Sequence, residues 1–187
     1  DLIDFYKIME KSYENIFENC GLNTLGVEAD SGAIGGAASK EFMVSADSGE
    51  DSILFTKSGS YSANIEKAIS LPSKEKPIKN FSESLIHTPN QKSIQEICKT
   101  NNFDPSQIVK VIIYIAKFED KSEVPLLVCI RGDQTINEVK VFNLINKTKK
   151  CNLITLSIIE SDLEIKQNLY ELPLGFIGPD LEDQLIK

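Results

Sequence analysis

Histidine is nearly missing from this 187-residue chain, with His87 the single example. That excludes a multi-histidine metal site, and any Ser-His-Asp triad would have to be built around one residue. The four cysteines, Cys20, Cys98, Cys129 and Cys151, are widely spaced and form no CxxC pair, so no zinc site is signalled. Cys98 and Cys129 lie in apolar segments and read as small buried hydrophobes. This cysteine usage fits a reduced, cytoplasmic setting. No apolar run nears the ~20 residues that span a bilayer. The longest, residues 111–116 and 124–130, read as buried strands. No basic, apolar leader of the secretory kind is present, and Asp1 stands inside a helical pattern, as expected of a piece of something longer. Basic charge is in deficit. A net charge of -8 makes the chain a poor non-specific binder of nucleic acid. It leaves Lys140, Lys147, Lys149 and Lys150 as one local basic patch. Gly32, Gly35 and Gly36 form no dinucleotide or phosphate-loop fingerprint, because the Lys-Ser/Thr pair of a phosphate loop is missing.

What is present is ordinary for a globular protein: 41% hydrophobic and 26% charged residues, against a disordered or collagen-like chain. Leu2, Phe5, Tyr6, Met9, Tyr13, Ile16 and Phe17 recur at helical spacing, and Gly21 is placed to end that helix. Residues 24–30, 41–44 and 52–55 read as strands, and 61–70 as a short helix. Residues 72–84, with Pro72, Pro77 and several lysines, read as an interdomain linker. Ser93 and Glu96 make a capping box opening a helix to about Thr100. Asp104-Pro105 starts a brief second one. Residues 110–117 and 124–130 read as strands, the second mostly apolar and so expected at the centre of a sheet. A helix or short strand is expected over 135–143, a strand over 153–159 and a helix over 160–168. Residues 174–179 form a glycine–proline loop. The fold class expected is α+β, in two parts divided near residue 80.

Six strings in order give the chain a resemblance. They are Val27-Glu28-Ala29-Asp30-Ser31-Gly32-Ala33-Ile34-Gly35-Gly36 with Ser39-Lys40-Glu41-Phe42-Met43-Val44; Ser60-Tyr61-Ser62-Ala63-Asn64-Ile65-Glu66-Lys67-Ala68; Thr88-Pro89; Ile108-Val109-Lys110; Val128-Cys129-Ile130-Arg131-Gly132-Asp133 with Asn137-Glu138-Val139-Lys140; and Gly175-Phe176-Ile177-Gly178-Pro179. Together they resemble bacterial-type prolyl-tRNA synthetases over nearly the whole chain. The family usually has a histidine where Lys40 stands here.

The resemblance implies a partial class II synthetase antiparallel-sheet core over residues 1–71, a linker over 72–84, and an inserted α/β editing domain of the aminoacyl-tRNA deacylase type over 85–187. It implies that the family's second motif precedes Asp1, its third follows Lys187, and the editing domain runs on past 187. It implies proline–tRNA ligation using ATP and Mg2+, as a homodimer without a membrane. The partner is the tRNA(Pro) acceptor end, with proline and alanine as aminoacyl groups. Editing would need no cofactor, no metal and no protein nucleophile, and would lean on backbone donors and the hydroxyls of the terminal adenosine.

Ester hydrolysis needs a held carbonyl, donors for the oxyanion and a placed water. Gly175, Gly178 and Pro179 are the candidates for the donor loop, because glycine lets amides approach an oxyanion. Lys110 would bind the terminal phosphate or adenosine. Thr88 would bond in the pocket wall, and Asp133 and Asn137 would hold the ammonium or the sugar. Glu41 is a candidate substrate contact in the ligase part. Plainer readings stand beside these: a solvated Lys110, a simple Thr88-Pro89 turn, a plain loop at 175–179, a strand-end turn at Arg131-Gly132-Asp133, a surface His87 and a solvated lysine face at 147–150. Two other functions stay open, a non-catalytic module for the tRNA 3′ end and a freestanding deacylase acting in trans.

Overall fold

An apolar stripe at three- and four-residue spacing needs a surface to cover, and a short sheet reaches only part of this one, leaving Leu2, Phe5 and Ile16 exposed. In the computed structural model, which describes residues 1–32, 38–71, 85–148, 151–159 and 174–179, helix α1 runs Leu2–Asn19. It is followed by strands β1 (Thr24–Ala29), β2 (Ser39–Val44), β3 (Ile53–Phe55) and β4 (Ser62–Asn64). The chain divides into two compact units, Asp1–Leu71 and Pro72–Lys187.

In the first unit the strand order is β2-β1-β4-β3. Neighbours are antiparallel, except that β1 and β4 run parallel. Alternation along β2 sends Lys40 and Phe42 toward α1 and Glu41 to the other face. Phe42 meets Tyr13 and Phe17 at ring-centroid distances of 5.9 and 5.6 Å. Lys40 lies over Gly26 and pairs with Glu10 of α1, a bond that raises the lysine's pKa, with burial opposing. Val27, Ala29 and Ala63 are fully buried.

Residues 61–70 are not the helix that their sequence suggests. Ser62–Asn64 is a strand wedged between β1 and β3, and a turn follows it. Asn64 ends the strand and caps the turn, its side-chain oxygen accepting from the Lys67 amide at 3.0 Å.

The second unit opens on α2 (Ile94–Asn101), a 3-10 turn (Pro105–Gln107) and the hairpin of β5 (Val109–Phe118) and β6 (Glu123–Arg131). Helix α3 (Glu138–Thr148) and β7 (Leu153–Ile158) follow. The sheet is antiparallel in the order β6-β5-β7. Strand β5, not β6, is therefore central, against the expectation from apolarity. Pro125 in β6 donates no backbone hydrogen bond and suits an edge strand. The two faces of β5 feed two cores. Ile113 and Ile115 join Ile159, Leu174 and Ile177 on one side. Ala116 and Phe118 join Ile145, Leu153, Val141 and Phe142 on the other, under α3. Cys129 is exposed and Cys98 half-buried, so neither is the fully buried hydrophobe expected. Cys129 lies on the edge strand β6 and Cys98 on helix α2. Among the described residues no helix is long and apolar enough to cross a membrane. The expected 72–84 linker, the 160–168 helix, Gly35, Gly36, Lys149 and Lys150 lie outside the described residues.

Candidate active site

Thr88 and Pro89 begin a tight turn: Thr88 C=O accepts from the Gln91 amide at 3.4 Å, and Asn90 takes the left-handed φ of 59°. Proline second and a left-handed residue third is the pattern of a type II turn. The turn leads straight into the α2 cap. Ser93 Oγ accepts from the Glu96 amide at 3.2 Å, and the Glu96 carboxylate accepts from the Lys92 and Ser93 amides at 3.1 and 3.0 Å. These bonds, Ser93's first, hold Glu96 below the usual carboxylate range.

The glycine–proline loop lies against this cap. Gly175 has φ of 84°, where only glycine rests without strain. A β-carbon there would lie 3.1–3.2 Å from the stem of Lys92. The Lys92 ammonium stands 5.6 Å from the centre of the Phe176 ring. Leu174 and Ile177 anchor the loop on Ile113 and Ile115. Of the predicted residues, the fold thus brings the Thr88 turn and the Gly175 loop to one region, joined through Lys92, which sequence reasoning missed.

Lys110 is not brought there. Strand alternation puts it on the face of Ile112, Tyr114 and Ala116, the face that α3 covers, whereas the loop sits on the face of Ile113 and Ile115. Lys110 and the loop at 174–179 therefore belong to opposite faces of β5, whose even- and odd-numbered residues point apart. The Lys110 face also holds Tyr114, buried and 3.5 Å from Glu138 of α3. Burial, then the charge of Glu138, pushes the tyrosine pKa up.

Asp133 and Asn137 have structural partners. Asp133 accepts two bonds from Arg131, at 2.6 and 2.8 Å, a bidentate pair closing the end of β6. Between them Gly132 fits where no other residue can, since a β-carbon would come 2.6 Å from the Pro105 carbonyl oxygen. Asn137 caps α3, its side chain accepting from the Lys140 amide at 3.1 Å. Glu41, in the other unit, accepts from Asn64 at 3.4 Å across β1. His87 is exposed.

An apolar cavity of about 670 Å³ lies under α3, lined by Phe118, Val124, Leu126, Leu144, Ile145 and Cys151 among others. It is on the side of the sheet away from the glycine loop.

Residues 88–179 match the family model of the aminoacyl-tRNA editing domain. The whole chain aligns with proline–tRNA ligases. Identity is 69% to that of Prochlorococcus marinus subsp. pastoris, 67% to that of P. marinus strain MIT 9515 and 53% to that of strain MIT 9211. Each alignment covers 100% of this chain and 31% of the relative, so the chain spans about a third of the proteins it matches.

Proposed function

We propose that this part clears alanine from mischarged tRNA(Pro): the whole chain aligns with proline–tRNA ligases, and residues 88–179 match the model of the aminoacyl-tRNA editing domain. The observation that carries the reading is that the matched span opens on Thr88 and closes on Pro179, and the fold folds its two ends together through Lys92.

The need for such a domain is physical. A pocket built for proline cannot keep out the smaller alanine, because missing methylenes are worth only about 1–3 kcal/mol. A second, smaller pocket that hydrolyses the alanine ester supplies the rest. The amides around Gly175 and Gly178 face the developing oxyanion, and Thr88 holds the substrate beside them. A water oxygen bonds to the ester carbonyl carbon. The bond from that carbon to the ribose oxygen then breaks, the ribose oxygen takes up one proton of that water, the other passes to solvent, and alanine leaves as its carboxylate. Asp133 and Asn137 act in this scheme by fixing the β6 end and the α3 start rather than by touching substrate. Lys110, on the other face, holds the acceptor end as a point charge.

The same proposal covers the whole protein: ATP- and Mg2+-dependent ligation of proline in the cytoplasm as a homodimer, with residues 1–71 contributing to a class II core and Glu41 to its substrate site. Editing itself calls for no cofactor.

The test is deacylation of alanyl-tRNA(Pro) by the full-length protein and its Lys110→Ala variant. With Lys110 holding RNA and not reacting atoms, KM rises about tenfold or more while kcat stays within about threefold. Equal KM in both proteins refutes the role given to Lys110. A second reading, binding of the tRNA 3′ end without hydrolysis, draws on the separation of Lys110 from the loop. Measurable affinity for the acceptor end with no release of free alanine supports it.

A further inference from the structure

We propose that Lys92 is a positioning residue that clamps the 175–179 loop in the geometry an oxyanion requires; this rests on the editing function proposed above. Main-chain donors stabilise an oxyanion only when held close to one place, yet glycine is the residue whose backbone is hardest to hold. Gly175 adopts φ of 84°, and nothing in its own side chain fixes it there. The fixing comes from outside. The Lys92 stem occupies the space a β-carbon at Gly175 would enter, with its Cβ, Cγ and Cδ 3.1–3.2 Å from that point. Its ammonium then lies 5.6 Å from the Phe176 ring centre, so one side chain touches two successive loop residues in two ways, by contact and by cation–π attraction. The clamp has a rigid base. The Lys92 amide donates to the Glu96 carboxylate at 3.1 Å, tying the lysine to the first turn of α2. On the loop's other side Leu174 and Ile177 are seated on Ile113 and Ile115. Gly175 and Phe176 are thus held between an apolar floor and a charged strap.

Lys92 does not need to reach the substrate, so its loss is expected to act on turnover and not on binding. The experiment compares full-length wild type, Lys92→Ala and Lys92→Arg. Deacylation of alanyl-tRNA(Pro) gives kcat and KM, and 4-fluorophenylalanine at position 176 gives a fluorine resonance that reports the ring's surroundings. Lys92→Ala is expected to lower kcat about tenfold or more, with KM within about twofold, because a small misplacement of donors is costly. It should also shift or broaden the fluorine signal. Arginine keeps a stem over Gly175 and a cation over Phe176, and should restore both readouts. An unchanged kcat in Lys92→Ala, an effect on KM alone, or no rescue by arginine overturns the proposal. If the wild type releases no alanine at all, the editing function fails, and the fluorine comparison decides the clamp by itself. A shift in Lys92→Ala that arginine reverses supports it, and an unmoved signal overturns it.

Discussion

At the scale of single residues, the most exacting position is Gly132. Its amide donates to Ile108 C=O at 2.7 Å, and the Pro105 carbonyl oxygen sits 2.6 Å from where a β-carbon would be. The obstacle is backbone, which cannot swing aside. Gly132→Ala should therefore destabilise the second unit by about 1–3 kcal/mol, read as a lower urea midpoint with an unchanged slope. Glu96 is the other telling residue. Its pKa is lowered by the Ser93 and Lys92 bonds, so its contribution to stability is present above the unfolded carboxylate pKa and is lost as pH falls through the lower folded value. Glu96→Gln should flatten that acid dependence of melting, while leaving the order of stabilities near neutral pH unchanged in sign. Capping roles of this kind are readable locally, since Ser93 and Glu96, and Asp104 and Pro105, lie within a few positions of each other. Lys92 was not readable. Its partners Gly175 and Phe176 are far along the chain, and a lysine beside a cap carries no mark of what it will cover.

At the scale of elements, hydrophobic spacing located α1, the Ser93–Glu96 capping box located α2, and runs rich in Val, Ile and Tyr located the strands of the second unit. It misjudged rank within the sheet. Strand β6 is the more continuous apolar run of the hairpin, yet its residues are half-buried or exposed and β5 holds the buried set, Tyr114 and Ala116 among them. Apolarity measured exposure to α3 and its cavity, whereas Pro125 carried the topological information. The α3 face depends on Ile145, buried against Ala116, Phe118 and Leu153. Ile145→Ala should cost about 2–5 kcal/mol, checked by equilibrium denaturation, with the upper part of the range expected if the space left merges with no water. The misreading of 61–70 has a tertiary origin: Ser62–Asn64 pairs with β1 and β3, and that pairing overrides the local helical pattern. For the candidate site, strand parity was already available from the sequence. Lys110 and Ile113 differ by an odd number of positions, and a strand sends such residues to opposite faces. The seat of the 175–179 loop on Ile113 and Ile115 was not available, because no short-range pattern specifies which face a distant loop will cover.

At the scale of the whole molecule, two units share one chain, and the editing domain family covers residues that fall in the second of them. An acidic chain with net charge -8 gains little from general attraction to RNA, so the acceptor-end recognition proposed above has to come from placed groups. The account therefore depends on geometry at one loop more than on charge. Its most direct test is the hydrolysis of alanyl-tRNA(Pro) and prolyl-tRNA(Pro) by the full-length protein and its Gly175→Ala variant, with tRNA binding measured alongside. The account predicts that wild type releases alanine and spares proline, and that Gly175→Ala loses about 100-fold or more in alanine release while still binding tRNA. Alanine release at the wild-type rate from Gly175→Ala would contradict it.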